Sequence, residues 1–147
     1  MLAASNCMLR KKTSEKDPVD WFAFAAERLR AADVLWSHEG LTATGIEALQ
    51  EAVERFLKGY LIAKGWKLAK THDLTHLPKE ANRLNPRFGQ FEELTGDLTE
   101  DFFAQHYPGM DTGKIGENYE TLRQQTGELV TLIRESLPQY FTSQEKP

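Results

Sequence analysis

A chain of 147 residues with 40% hydrophobic and 27% charged side chains is long enough to close one hydrophobic core without disulfides or a structural metal. Its one cysteine, Cys7, excludes an intrachain disulfide framework and a cysteine-rich zinc site, and no stretch reaches the ~18 consecutive apolar residues of a bilayer span. A net charge of −4 excludes a uniformly basic nucleic-acid binder, so a soluble cytoplasmic domain without a membrane segment is expected.

Residues 1–16 carry their basic side chains after the short apolar stretch, the reverse of a secretory leader, and read as a disordered basic tail. Asp17-Pro18 then signals a helix start, because the carboxylate can accept from first-turn amides and Pro fits the first helical position. Phe22, Ala25, Leu29, Ala32 and Trp36 recur at steps of three and four, which is one helical face, until Gly40 interrupts. Thr44 and Glu47 have the spacing of a capping box, and Ile46, Leu49, Val53, Phe56, Tyr60 and Ala63 continue a second stripe to Gly65. After a basic connector over 66–71, Leu74, Leu77, Ala81 and Leu84 predict a shorter helix, with Pro78 near its first turn and Asn85-Pro86 at its end. Phe91, Leu94, Leu98 and Phe102 predict one more helix or two helical turns, with Thr95-Gly96 as a possible break. Residues 107–116 hold Pro108, Gly109, Gly113 and Gly116 and read as a loop, after which Tyr119, Leu122, Thr126, Leu129 and Ile133 form a last stripe ending before Pro138.

No segment alternates with period two, so the expected fold is all-α: an up-and-down bundle of four to five helices over 17–137, followed by a tail over 138–147. Trp21, Leu57, Leu61 and Val130 flank the stripes and suggest more apolar surface than one small bundle hides, which predicts a homodimer. Charge is segregated along the chain. Residues 55–87 hold eight basic and two acidic side chains, whereas 88–120 hold eight acidic and one basic. Such polarity steers an anionic ligand to one side and a basic partner to the other.

Several side chains are candidates for chemistry. Lys70, His72 and Asp73 sit where the connector meets the next helix, whose free amides and dipole attract anions. Asp73 suits the cap, and His72 can donate to a phosphate or move a proton near neutral pH. His76 follows His72 by four residues, but two imidazoles without a third ligand make a weak metal signal, and no cofactor is expected. His106 and Tyr107 precede Pro108 at the mouth of the Gly-rich loop, where a phenol or imidazole can meet a base or phosphate. The glycines of that loop lack the strand before it and the Gly-Lys-Ser/Thr ending of a P-loop. Trp21, Phe22, Phe24 and Trp36, at helical spacing, read as core. Glu54 and Lys58 lie four apart in the order favouring an ion pair, worth about 0.3 to 0.5 kcal/mol if solvated.

The segment Glu51-Ala-Val-Glu54-Arg-Phe-Leu-Lys58-Gly-Tyr-Leu, then Lys64-Gly65, Lys70-Thr71-His72-Asp73-Leu74 and the later Tyr107-Pro108, resembles the HEPN family of nucleotide-binding domains in both residues and order, over about 17–137. The resemblance implies a small helical bundle, commonly dimeric, that often acts beside a minimal nucleotidyltransferase as a toxin and antitoxin pair. It also implies that Lys58 contacts a ligand phosphate or a dimer partner. Many members are metal-independent ribonucleases whose Arg precedes a His by four to six intervening residues. Here Arg30 and His38 have seven between them and Arg87 and His106 eighteen, so no pair fits. The expectation is therefore a non-catalytic module binding a nucleotide, RNA or a nucleotidyltransferase partner through Lys58, Lys70, His72, Arg83, His106 and Tyr107. The alternative is a ribonuclease using His72 or His106 for proton transfer, with Lys58, Lys70 or Arg83 balancing phosphate charge.

Overall fold

The computed structural model describes residues 12–68, 74–106 and 113–141, with side chains for all of these except 101–106 and 113–117. Asp17 caps the first helix, α1 (Pro18–Glu39), by accepting from the Val19 amide at 2.9 Å, and Pro18 occupies the first position as the sequence predicts. Gly40 closes α1 at φ 72°, a left-handed conformation that glycine alone adopts without a Cβ clash, and Gly65 does the same at φ 90° beyond α2 (Ala43–Ala63). The start of α2 differs from expectation. Its cap is Thr42, whose Oγ1 accepts from the Gly45 amide at 2.9 Å; Thr44 already lies within the helix. A Cβ on Gly45 would stand 2.9 Å from that same Oγ1, so the bare residue leaves room for the cap.

α3 (His76–Leu84) admits Pro78 within its first turn and ends at Asn85, whose extended backbone leads into a 3₁₀ turn over Pro86–Phe91. α4 (Glu92–His106) runs through Thr95-Gly96 without a break. Thr95 is buried, and its hydroxyl donates to the Glu92 carbonyl at 3.0 Å, so no polar atom is stranded there. α5 (Gly113–Ser136) begins earlier than expected, taking Gly113 and Gly116 out of the predicted loop, and a 3₁₀ turn follows over Pro138–Tyr140. Among the described residues there are five α-helices and no strand, as the bundle expectation requires.

The three-residue link after α1 makes α1 and α2 antiparallel neighbours, and this pair forms the most extensive helix contact of the fold. α2 is the central element. Thirteen of its 21 residues are buried, and it touches α1, α3, α4 and α5. The two helices cross closely at Gly59, where a Cβ would come within 2.7 Å of the Phe22 ring. Phe22 in turn packs on Phe56, Tyr140 and Phe141, with centroids 6.4, 5.9 and 5.0 Å away, so residues beyond Pro138 contribute to the same core. α5 is fastened to α1 by the stack of Trp36 on Tyr119 at 4.5 Å and by the Arg123 guanidinium, which donates to both oxygens of Asp33 at 2.7 and 3.0 Å. This carboxylate holds Arg123 above its usual range, so the guanidinium stays charged at any accessible pH.

The stripes hide more than the sequence suggests. Leu57, Leu61 and Val130 are all buried within one chain, because α2 is covered on several sides rather than along one face. These three leave no apolar surface over, and the dimer expectation loses that support. Among the described residues the large apolar side chains left exposed are Val19, Val34, Leu41 and Leu84.

Five of the eight acids of the segment over 88–120, Glu92, Glu93, Asp97, Glu100 and Asp101, belong to α4. Burial and then the neighbouring Glu93 and Glu100 hold the Asp97 carboxyl above its ordinary value of 3.8. Ionised Asp97 is therefore disfavoured by folding, so its penalty is present at neutral pH and fades as pH falls through the raised folded value, vanishing below 3.8. Asp97→Asn should raise the melting temperature at pH 7, with a gain that shrinks in acid and in added salt. Thermal melts at pH 7 and pH 3 check this, and a variant less stable at pH 7 would contradict it.

Candidate functional site

A pocket of about 420 Å³ opens between the start of α1 and the second half of α2. Its first wall is α1, which supplies Asp20 and Trp21 from its first turn and Phe24 from the next. Its second wall is α2, which supplies Glu54 and Lys58 one turn apart and Arg55 beside them. Leu68 closes one end, and residues 13–15 lie across the top. This volume lies in the range of small-molecule sites, and the lining combines two aromatic rings with both signs of charge.

The strap over 13–15 is held by the pocket's own residues. Asp20, only 3% exposed, accepts from the Ser14 amide at 2.9 Å, and the Trp21 indole donates to the Glu15 carbonyl at 2.8 Å. On the opposite wall Lys58 donates to Glu54 at 2.6 Å, with side-chain exposures of 5% and 14%. The pair is therefore largely removed from water, unlike the solvated pair its spacing suggests. The ammonium also lies 5.8 Å from the Trp21 ring. Arg55 stands 5.7 Å from the Phe24 ring and 3.7 Å from Glu51, a carboxylate that also lies 3.4 Å from Arg28. Neither arginine makes a hydrogen bond to it, and Nη1 of Arg55 and Nε of Arg28 are buried without a hydrogen-bond acceptor among the described residues, although Nε of Arg28 keeps its ion pair with Glu51.

Of the residues that the sequence nominates, Lys58 lies in this pocket. Arg83 is exposed in the last turn of α3, paired with Glu80 at 3.1 Å, and does not line the pocket. Lys70, His72 and Tyr107 lie outside the described residues, as does the cap expected at Asp73; His106 is the last residue of α4, without a described side chain. His76 opens α3 near Trp66, and its Nε2 is buried without a partner among the described residues. Sequence reading missed Asp20, Arg55 and the pocket role of Trp21 and Phe24. Only Phe22 of that aromatic cluster belongs to the buried core; Trp21 and Phe24 are half-buried, and Trp36 is half-buried against Tyr119. The available signal was the spacing of Trp21 and Phe24, three apart and off the line through Phe22 and Ala25.

The family model of the HEPN domain matches residues 19–136, a span reaching from the first turn of α1 to the end of α5. No curated protein and no solved structure matches the chain.

Proposed function

We propose a function from one premise: the chain belongs to the HEPN domain family, a nucleotide-binding or ribonuclease type of module. The protein acts as a binding and interaction module that takes a nucleotide in the pocket between α1 and α2 and works with a minimal nucleotidyltransferase in a toxin and antitoxin arrangement, as a homodimer. The pocket carries this reading. It offers a mononucleotide-sized space, two cationic side chains in Arg55 and Lys58, and two aromatic rings in Trp21 and Phe24. A non-catalytic role is supported by the spacing of Arg and His, since no Arg precedes a His by the family's four to six residues.

Trp21 gives a direct test, because it lines the pocket whereas Trp36 and Trp66 do not. Titration of the protein with nucleotides should change tryptophan emission, and Trp21→Phe should abolish most of the change. Co-purification of the neighbouring nucleotidyltransferase, if one is encoded, should accompany it. Absence of any nucleotide response by fluorescence and calorimetry would overturn the proposal.

A further inference from the structure

We infer that residues 13–16 form a hinged lid over this pocket, which swings about Asp17 to admit the ligand and is then latched shut above it on Asp20 and Trp21. The chemistry of the ligand rests on the nucleotide reading above; the hinge does not.

Asp17 divides the helix from the strap. Everything beyond its Cα belongs to α1: its carboxylate accepts from the Val19 amide at 2.9 Å, and its carbonyl from the amides of Asp20 and Trp21 at 3.1 and 3.4 Å. What precedes it is a turn with bonds of its own. The Asp17 amide donates to the Ser14 carbonyl at 3.1 Å, and the Lys16 amide to the Ser14 hydroxyl at 3.2 Å. Rotation about the N–Cα bond of Asp17 therefore swings the strap as one body and leaves the helix cap in place. That torsion stands at −102°, inside the extended region favoured before proline, which spans roughly −60° to −160°. A residue at the end of an element with this freedom is the usual place for a hinge.

The seat of the lid is the pocket itself. Ser14 donates its amide to the Asp20 carboxylate at 2.9 Å, and the Glu15 carbonyl accepts from the Trp21 indole at 2.8 Å. Residues 12–16 are exposed, so swinging them outward strips little apolar surface from the core. In its latched position the strap leaves a space of about 420 Å³ beneath it, and Thr13, Ser14 and Glu15 line that space. A ligand lodged there touches the lid as well as the walls, and so binds the closed form better than the open one. Trp21 links lid and wall. The strap carbonyl holds its indole, and its ring lies 5.8 Å from the Lys58 ammonium, so opening also frees one face of the site.

Glu15 and Asp20 make further interactions, so the test leaves both side chains in place. Hydrogen exchange on the intact chain should give the Ser14 amide and the Trp21 indole one shared protection factor, at least about ten-fold below that of the Leu57 amide in the core. Ser14→Pro, which removes the latching amide, should lower Trp21 protection about ten-fold without lowering the melting temperature, whereas Ser14→Ala, which keeps that amide, should leave it within about two-fold. Saturating AMP should raise both protection factors about ten-fold, and Ser14→Pro should speed AMP release by a similar factor. Protection equal to that of Leu57, no protection at all, two unrelated factors, or a Ser14→Pro chain that fails to fold would overturn the lid. So would AMP that binds and leaves both factors unchanged, with nucleotide binding intact. If AMP does not bind, the nucleotide reading falls, and exchange in the free protein decides the hinge by itself.

Discussion

Lys58→Met is expected to lower the unfolding free energy by about 3 kcal/mol, because it leaves the Glu54 carboxylate largely buried without its partner. An exposed pair at the same helical spacing would lose about 0.3 to 0.5 kcal/mol, so the measurement separates the two environments by several-fold. The pair is enclosed because Trp21 and the strap over 13–15 lie across this part of α2. Replacing both partners, as Glu54→Leu with Lys58→Met, should recover most of the loss, since two apolar side chains avoid the desolvation of either charge. Urea unfolding of the four members of this cycle checks it. A single variant within about 0.5 kcal/mol of the parent would show the pair to be effectively solvated.

Gly59→Ala should be destabilising by about 2 kcal/mol, although alanine ordinarily favours a helix interior over glycine by about 0.8 to 1 kcal/mol. The added carbon would lie 2.7 and 2.9 Å from two atoms of the Phe22 ring and 3.1 Å from Cβ of Trp21. Phe22 cannot swing aside, because Phe56, Tyr140 and Phe141 pack around it. α1 must therefore move off α2, loosening the broadest contact in the bundle. Gly96→Ala is the matched comparison. It stands within α4 with nothing inside 4 Å of the added carbon, so the helical preference acts alone and stability should rise by about 0.8 kcal/mol. Thermal melts should move in opposite directions, by roughly 2 to 4 °C per kcal/mol for a chain of this size. Equal gains in both variants would contradict the close crossing.

The helices were legible where local chemistry decides them. Asp17-Pro18, Gly40, Gly65 and Asn85-Pro86 act through backbone geometry within a few residues, and the Tyr119, Leu122, Thr126, Leu129 and Ile133 stripe is buried throughout. The exceptions arise where a neighbour overrides a local signal. Thr42 takes the cap from Thr44 because Gly45 leaves space for it, and Gly113 and Gly116 join α5 despite their low helical preference. The site was less legible than the fold. The spacing of Glu54 and Lys58 revealed a pair but not its burial, which depends on α1 and the strap packing over α2 from about forty residues away. Arg55 showed locally only its four-residue spacing from Glu51 and its place in the basic segment over 55–87. Its contact with the Phe24 ring and the sharing of Glu51 with Arg28 both involve α1 and appear only in the folded chain.

The niche of Phe22 joins the two extremities of the domain. During synthesis the hairpin of α1 and α2 leaves the ribosome long before Tyr140 and Phe141, which complete the aromatic wall around that ring. Until those residues arrive, the floor beside Trp21 lacks part of its backing. The turn beyond Pro138 thus governs when α1, translated well before it, and the pocket built on it reach their final form.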